Sequence, residues 1–347
     1  MSVIIPENYK SDLSSIENEQ IIFKIKETFS NYLKNFLYHI NSPLFVQTGS
    51  GINDDLDGSQ DPVHFNIDYI DNSCAEIVHS LAKWKRIKVT ELNLNYNQGI
   101  YTDMNAIRKC ETLDNIHSLF VDQWDWEVKI KNEDRNLATL KKWAGIMYSC
   151  IYETAKTIKE EFNIDVPKLP QYLAFIHAEE LLKLYPDKTP EEREYLITKE
   201  HKAIFICGIG KKLSNGIKHD SRADDYDDWI TENEDGYYGL NGDILLWNDI
   251  LQQPLEITSM GIRVNAESLQ KQLLYNKTQY KMHSHYQNMV IHNALAQTIG
   301  GGIGQSRLCM FIMQKAHIGE VQCSIWPQED VKKLKEHNVN LLNSVEI

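Results

Sequence analysis

Residues 121–127, VDQWDWE, decide the fold reading. Strand alternation puts Asp122, Trp124 and Trp126 on one face and Gln123, Asp125 and Glu127 on the other. One face can enter a core through two tryptophans, while the other carries two carboxylates and an amide that avoid apolar surroundings unless paired or used. Such a strand fits a sheet edge against water or a wall of a substrate site, and both readings stand at this level. Around it, strand-like runs cover 44–48, 63–70, 74–79, 117–124, 171–176, 203–207, 243–247, 255–264 and 321–326. The pairs 63–70/74–79 and 243–247/255–264 predict hairpins. Helical spacing marks 20–40, where Ile22, Ile25, Phe29, Leu33 and Phe36/Leu37 recur three and four apart, and also 136–162, 177–185, 191–201 and 305–316. Strands do not alternate regularly with helices, so the fold class is α+β, a mostly antiparallel mixed sheet flanked by helices.

No Pro/Gly/Ser-rich linker, internal repeat or low-complexity tract divides the chain. The expectation is one domain over 1–347, with a motif-bearing core at 20–327 and weakly ordered ends at 1–15 and 330–347. At 347 residues, 42% hydrophobic and 24% charged, the chain can bury a sizeable core. Its 36 Lys+Arg against 49 Asp+Glu leave a net charge of −13, the wrong sign for neutralising phosphates. Neither nucleic acid nor an anionic membrane is an expected partner. No apolar window reaches spanning length, and the opening MSVIIPENYKSDLSSIENEQ lacks a basic start and apolar signal core, so the expected location is cytoplasmic. Six cysteines at 74, 110, 150, 207, 309 and 323 form no CxxC and read as small buried hydrophobes.

Three familiar signatures fail on particular residues. Gly208-Ile209-Gly210 follows an apolar run, but Leu213 stands where a dinucleotide fingerprint needs its third glycine. A calcium loop over Asn53, Asp55, Asp57 and Gly58 ends at His64 instead of Glu and is interrupted by Pro62. No GxxxxGK[ST] accompanies the glycines at 300, 301, 302 and 304.

Charge inside apolar segments is the stronger signal. HSLAKWKR (79–86) sets Ser80, Lys83, Lys85 and Arg86 around Trp84, a pattern open to a solvated basic turn. RADDYDDW (222–229) carries Asp224, Asp225, Asp227 and Asp228, each open to a solvated loop or a ligand role. Asp243 and Glu256, at opposite ends of the second hairpin, could meet to hold Mg²⁺ with phosphate oxygens. TIGGGIGQSRL (298–308) permits close backbone approach at its glycines before a helix opening near Gln305, and Arg307 adds a cation to a helix start that favours anions.

Together GINDDLDG (51–58), IVHSLAKWKR (77–86), VDQWDWE, RADDYDDW, LNGDILLWN (240–248), SMGIRV (259–264) and GGGIGQSRL (300–308) resemble the ammonia-dependent asparagine synthetases, or aspartate-ammonia ligases. That family shares the catalytic fold of class II aminoacyl-tRNA synthetases and looks most like the aspartyl enzyme. The resemblance implies that 20–40 running into Pro43 is motif 1, a homodimer interface. Arg108 through Glu127 is similar to motif 2, with Arg108 on the α-phosphate of ATP, and Gly302 with Arg307 to motif 3, with Arg307 on the phosphate tail. Two departures stand out. Glu111 falls three residues after Arg108, where the family spacing is two, and no acidic residue directly precedes Arg307.

The resemblance further implies Asp243 and Glu256 for Mg²⁺, and Lys85 and Arg263 for a carboxylate of aspartate. Ser80, Gln123, Asp227 and Ser259 are candidates for its amino group and remaining oxygens, and Asp54 for ammonium or its proton. The implied reaction activates L-aspartate with ATP as a β-aspartyl-adenylate, which ammonia converts to asparagine. A tRNA-charging aspartyl or asparaginyl synthetase is the runner-up, disfavoured by charge and by motif-bearing sequence that leaves no room for an anticodon-binding domain. An inactive amino-acid-binding regulator is a third reading, opposed by the presence of Arg108, Arg307, Asp243 and Glu256.

Overall fold

A computed structural model describes residues 3–11, 13, 15–53, 61–70 and 73–342. In chain order the strands are β1 (Tyr38–His39), β2 (Phe45–Gln47), β3 (His64–Asn66), β4 (Cys74–Ile77), β5 (Gly99–Ile107), β6 (Phe120–Lys129), β7 (Ala174–His177), β8 (Ala203–Cys207), β9 (Asn241–Asn248), β10 (Gln253–Ile262) and β11 (Thr298–Gly304). The α-helices are α1 (Ser15–Leu33), α2 (Ala82–Glu91), α3 (Leu137–Phe162), α4 (Ala178–Leu184), α5 (Pro190–His201), α6 (Ala266–Asn276), α7 (His285–Ile291), α8 (Gln305–Ile312) and α9 (Gln328–Glu336).

Eight strands form one sheet in the order β1-β5-β6-β11-β10-β9-β8-β7, and β2-β4-β3 form a small second one. The six inner strands pair antiparallel; β1 and β7 attach in parallel at the edges. Both expected hairpins, β3–β4 and β9–β10, are present. The core fills one face. Trp124 meets Phe29 of α1 with ring centroids 4.3 Å apart, and Trp126 meets Trp143 of α3 at 5.6 Å. VDQWDWE thus lies in the sheet interior between β5 and β11, and the edge-strand reading falls away.

Several expectations need correction. The helix expected over 20–40 spans Ser15–Leu33, because Tyr38 and His39 leave the helical path to pair with β5. Its stripe of Ile22, Ile25, Phe29 and Leu33 is buried in the chain's own core; Ile16 and Phe23 remain exposed on α1. Residues 79–86 are no solvated turn: α2 begins at Ala82, and Lys83, Lys85 and Arg86 are buried. The glycines at 300, 302 and 304 belong to the central strand β11. An added β-carbon at Gly300 would strike the Glu127 carboxylate and stand 2.5 Å from Trp126 O, so no larger residue fits without displacing backbone.

Residues 321–326 form no strand; Gln322 and Ser324 instead bond to Ser306 and Ser118. The ends are packed where described. Ile4 N donates to Asn115 Oδ1 at 2.7 Å, Lys333 Nζ to Val3 O at 3.0 Å, and Leu334, Val339 and Leu341 are buried.

Candidate active site

Strand register assembles the site floor. Thr102, Asp125, Gly302, Ser259 and Asp243 lie side by side across β5, β6, β11, β10 and β9. Alternation should put Glu256 and Ser259, three residues apart, on opposite faces. A register shift between Glu256 and Thr258 resets the alternation, so both line the same cavity as Asp243. Gly302 leaves the centre of the row without a side chain, and a β-carbon there would stand 2.5 Å from Gln123 Oε1. The cavity above measures about 520 Å³, within the range of small-molecule sites.

Side chains from around the sheet close it. Ser80 and Lys85 enter from the start of α2, Arg108 follows β5, Gln123 and Asp125 project from β6, and Arg307 enters from the first turn of α8. Asp227 and Arg263 complete the wall beyond β10. Every residue given a site role through the resemblance lines this one cavity except Asp54, which lies outside the described residues; Lys83, Arg86, Asp224, Asp225 and Asp228 are not among its walls.

Two arginines face the cavity with few protein acceptors. Arg108 Nη2 donates to His79 O at 3.2 Å, and its buried Nε has no partner among the described residues. Burial holds its guanidinium below the usual arginine range; Glu111, which also lines the cavity, opposes that, and the Arg307 charge adds to it. Arg307 donates through Nη1 to Glu256 O at 3.0 Å and through Nε to Ile116 O at 3.4 Å. Two like charges over one polar cavity make an anion site.

The opposite end carries both signs. Lys85 Nζ pairs with Asp125 Oδ1 and donates to Gly301 O at 2.8 Å, while Asp125 Oδ2 is buried and without a partner among the described residues. Arg263 donates to Glu127 Oε2 through Nη2 at 2.7 Å, to Glu127 Oε1 through Nε at 3.0 Å, and to Asp227 through Nη1. Cations and carboxylates side by side suit a zwitterionic amino acid. Glu127 is fully buried, so Glu127→Ala leaves the guanidinium short of its bidentate partner. The expected loss is about 3–5 kcal/mol of stability, read from urea unfolding; an unchanged midpoint contradicts this account of the pair.

Asp243 pairs with Arg222. Burial and the neighbouring Glu256 carboxylate nevertheless push Asp243 up to about 7, against the pull of Arg222. A cation shared with Glu256 would relieve that cost. Among the described residues no three His, Cys, Asp or Glu side chains form a metal cage, so such a cation would draw further ligands from substrate oxygens. The RADDYDDW carboxylates are neither solvated nor a metal cluster. Asp224 accepts from Thr278 Oγ1 at 2.6 Å, Asp225 pairs with Lys83 at 2.9 Å, and Asp228 pairs with Arg135.

An antiparallel sheet with an arginine after one strand, a second in the helix that follows a glycine-rich strand, and an amino-acid-sized charged end defines the class II aminoacyl-tRNA synthetase catalytic fold. The structure is similar to asparaginyl-tRNA synthetase from Pyrococcus horikoshii complexed with asparaginyl-adenylate, with a TM-score of 0.65 and 15% identity, covering 90% of this chain and 70% of that one. It is also similar to a putative aspartyl-tRNA synthetase from Leishmania major Friedlin, with a TM-score of 0.60 and 13% identity over 89% and 64% of the two chains. The sequence pattern of aspartate-ammonia ligase matches residues 16–338, and the aspartate-ammonia ligase of Parabacteroides distasonis is 49% identical over 345 residues, 99% of this chain and all of that one. The chain belongs to the aspartate-ammonia ligase family, as the motifs indicated, and the tRNA-charging alternative is not favoured.

Sequence reading missed Arg222, the partner of Asp243, and gave Asp125 and Glu127 no individual role. Their signal was the polar stripe of VDQWDWE. For Arg222 the signal was its place at the head of RADDYDDW, where only the aspartates are weighed.

Proposed function

We propose that this chain joins L-aspartate and ammonia into L-asparagine, using ATP and passing through a β-aspartyl-adenylate. The carrying observation is the convergence of Arg108 and Arg307 on one cavity whose other end holds Lys85, Asp125, Asp227 and Arg263. A β-carboxylate oxygen attacks the α-phosphorus of ATP, and the bond to pyrophosphate breaks. Arg108 at the α-phosphate and Arg307 at the phosphate tail stabilise charge that develops there. Lys85 and Arg263 hold an aspartate carboxylate, while Asp227 with Gln123, Ser80 and Ser259 receives the amino group and remaining oxygens. Asp243 and Glu256 would hold Mg²⁺, which supplies charge neutralisation and orientation of the phosphates. The nitrogen of ammonia then attacks the acyl carbon and AMP leaves; Asp54 is the proposed site for ammonium and its proton. Aspartate labelled with ¹⁸O in the β-carboxylate tests the intermediate: one label is expected in AMP, and unlabelled AMP contradicts adenylate formation.

Residues 1–347 are read as one synthetase-like catalytic domain, since α1, α3, α8 and α9 share one core with the eight-stranded sheet. Among the described residues no helix is long and apolar enough to cross a membrane, which fits the proposed cytoplasmic location. A homodimer is proposed through the outer face of α1 and the segment around Pro43. Phe23 is 70% exposed, and Ile16, Phe36, Leu44 and Phe45 are exposed with it. Sedimentation at micromolar concentration should give twice the chain mass; a fully active monomer contradicts the dimer.

A further inference from the structure

Arg307 lies in the first turn of α8, and the groups that hold this turn reach beyond the cavity. Ser306 donates to Asp122 twice, from N to Oδ1 at 3.0 Å and from Oγ to Oδ2 at 2.8 Å. Gln322 Nε2 braces the same pair, 3.0 Å from Ser306 Oγ and 3.3 Å from Asp122 Oδ1. Gln305 Nε2 donates to Asp103 Oδ1 at 2.9 Å. Both aspartates have a second partner near the start of the chain. Lys26 Nζ of α1 stands 2.8 Å from Asp122 Oδ2, and His39 Nε2 of β1 stands 2.8 Å from Asp103 Oδ2.

Ser306 fills the position before Arg307 where the class II resemblance expects an acidic residue, and Asp122 brings a carboxylate to that position from β6. A carboxylate there satisfies an otherwise unpaired N–H of the helix start and complements its dipole. Unneutralised, the same charge opposes the phosphates that Arg307 attracts.

We propose that Asp122 and Lys26 are positioning residues for Arg307, so that the nucleotide end of the site depends on a side chain of α1 that reaches no phosphate itself. This rests on Arg307 as a phosphate ligand. It does not depend on the aspartate assignments. It also places the helix proposed for the dimer interface in direct contact with the nucleotide machinery.

The test combines ATP titration of the full chain, in the presence of Mg²⁺, with KM values for both substrates in Lys26→Met, Lys26→Arg, Arg307→Ala and the double variant Lys26→Met/Arg307→Ala. Lys26 is one-third exposed, so its removal leaves no buried cavity. Lys26→Met should weaken ATP binding about tenfold, the scale of one charge-assisted hydrogen bond, and leave KM for aspartate within about twofold. Lys26→Arg should restore most of the loss, and the double variant should bind ATP no more weakly than Arg307→Ala alone. Asp122→Asn, which keeps one acceptor oxygen but puts an amide NH₂ where the second oxygen takes Ser306 Oγ and Lys26, should give the same split between substrates. Unchanged ATP affinity in Lys26→Met, equal loss for both substrates, or losses that multiply in the double variant overturn the proposal. Wild-type affinity in Arg307→Ala overturns the phosphate reading instead, and the proposal with it.

Discussion

Arg307→Ala is expected to lower kcat/KM for ATP by about a hundredfold to a thousandfold, the span for removing a preorganised donor from developing charge. Its unfolding midpoint should stay close to that of the parent. The side chain is 23% exposed; among the described residues it donates to the backbone carbonyls of Glu256 and Ile116 and stands 3.9 Å from the partly exposed Glu256 Oε1, groups that water can satisfy at the cavity wall when the guanidinium is gone. Arg263 is the contrasting case: buried between Glu127 and Asp227, it belongs to the structural balance of the sheet, and its loss should register as instability. Steady-state kinetics with ATP varied at saturating aspartate, alongside urea unfolding, separates the two behaviours. Near-normal ATP kinetics in Arg307→Ala removes this residue from the phosphates.

Asp54→Asn should separate the half-reactions, leaving aspartate-dependent exchange of pyrophosphate into ATP intact. Asparagine formation should fall by roughly 100-fold to 10,000-fold, the span for a general base. Ammonium dominates at neutral pH, but only ammonia carries the lone pair that attacks an acyl carbon, so a carboxylate near that carbon both attracts the cation and accepts its proton. The residue before it is anchored beside the cavity. Asn53 Oδ1 accepts from His79 N at 2.9 Å, Asn53 Nδ2 donates to Ile77 O at 3.2 Å, and Lys83 donates to Asn53 O at 3.4 Å, next to Ser80. Raising the pH supplies free ammonia and should partly rescue the variant. Equal loss of exchange and amidation, or no loss of either, fits an Asp that only caps its own turn and removes it from the ammonia step.

What was legible in the sequence is what period and turn chemistry alone determine. VDQWDWE gave both faces of β6 because its alternation survives burial on either side, and the β9–β10 hairpin followed from two apolar runs close in sequence. GIYTDMNAI, the partner of β6, was illegible: Gly99 to Thr102 are all buried, so alternation holds only over Asp103 to Ala106, and its strand state comes from pairing with residues about twenty positions away. Helix α2 was hidden for a related reason. Its buried residues include Lys83, Lys85 and Arg86 beside Ala82 and Val89, and the three cations look solvated until Asp225, Asp125 and the carbonyls of Val264 and Ala296 are brought beside them.

In the site, the candidate residues were named through the family resemblance and, Asp54 apart, line one cavity, while their pairings were not legible. The register shift that turns Glu256 and Ser259 to one face arises from the fit of β10 against β9. Arg222 reaches Asp243 across 21 positions of irregular chain, which no local pattern announces.

The most direct test of the central claim is product analysis after incubating the purified chain with L-aspartate, ATP, Mg²⁺ and ammonium, then with glutamine in place of ammonium. Asparagine, AMP and pyrophosphate are expected in equal amounts with ammonium, and none of the three should accumulate with glutamine. ADP and orthophosphate as the nucleotide products, or asparagine formed only from glutamine, would contradict the claim.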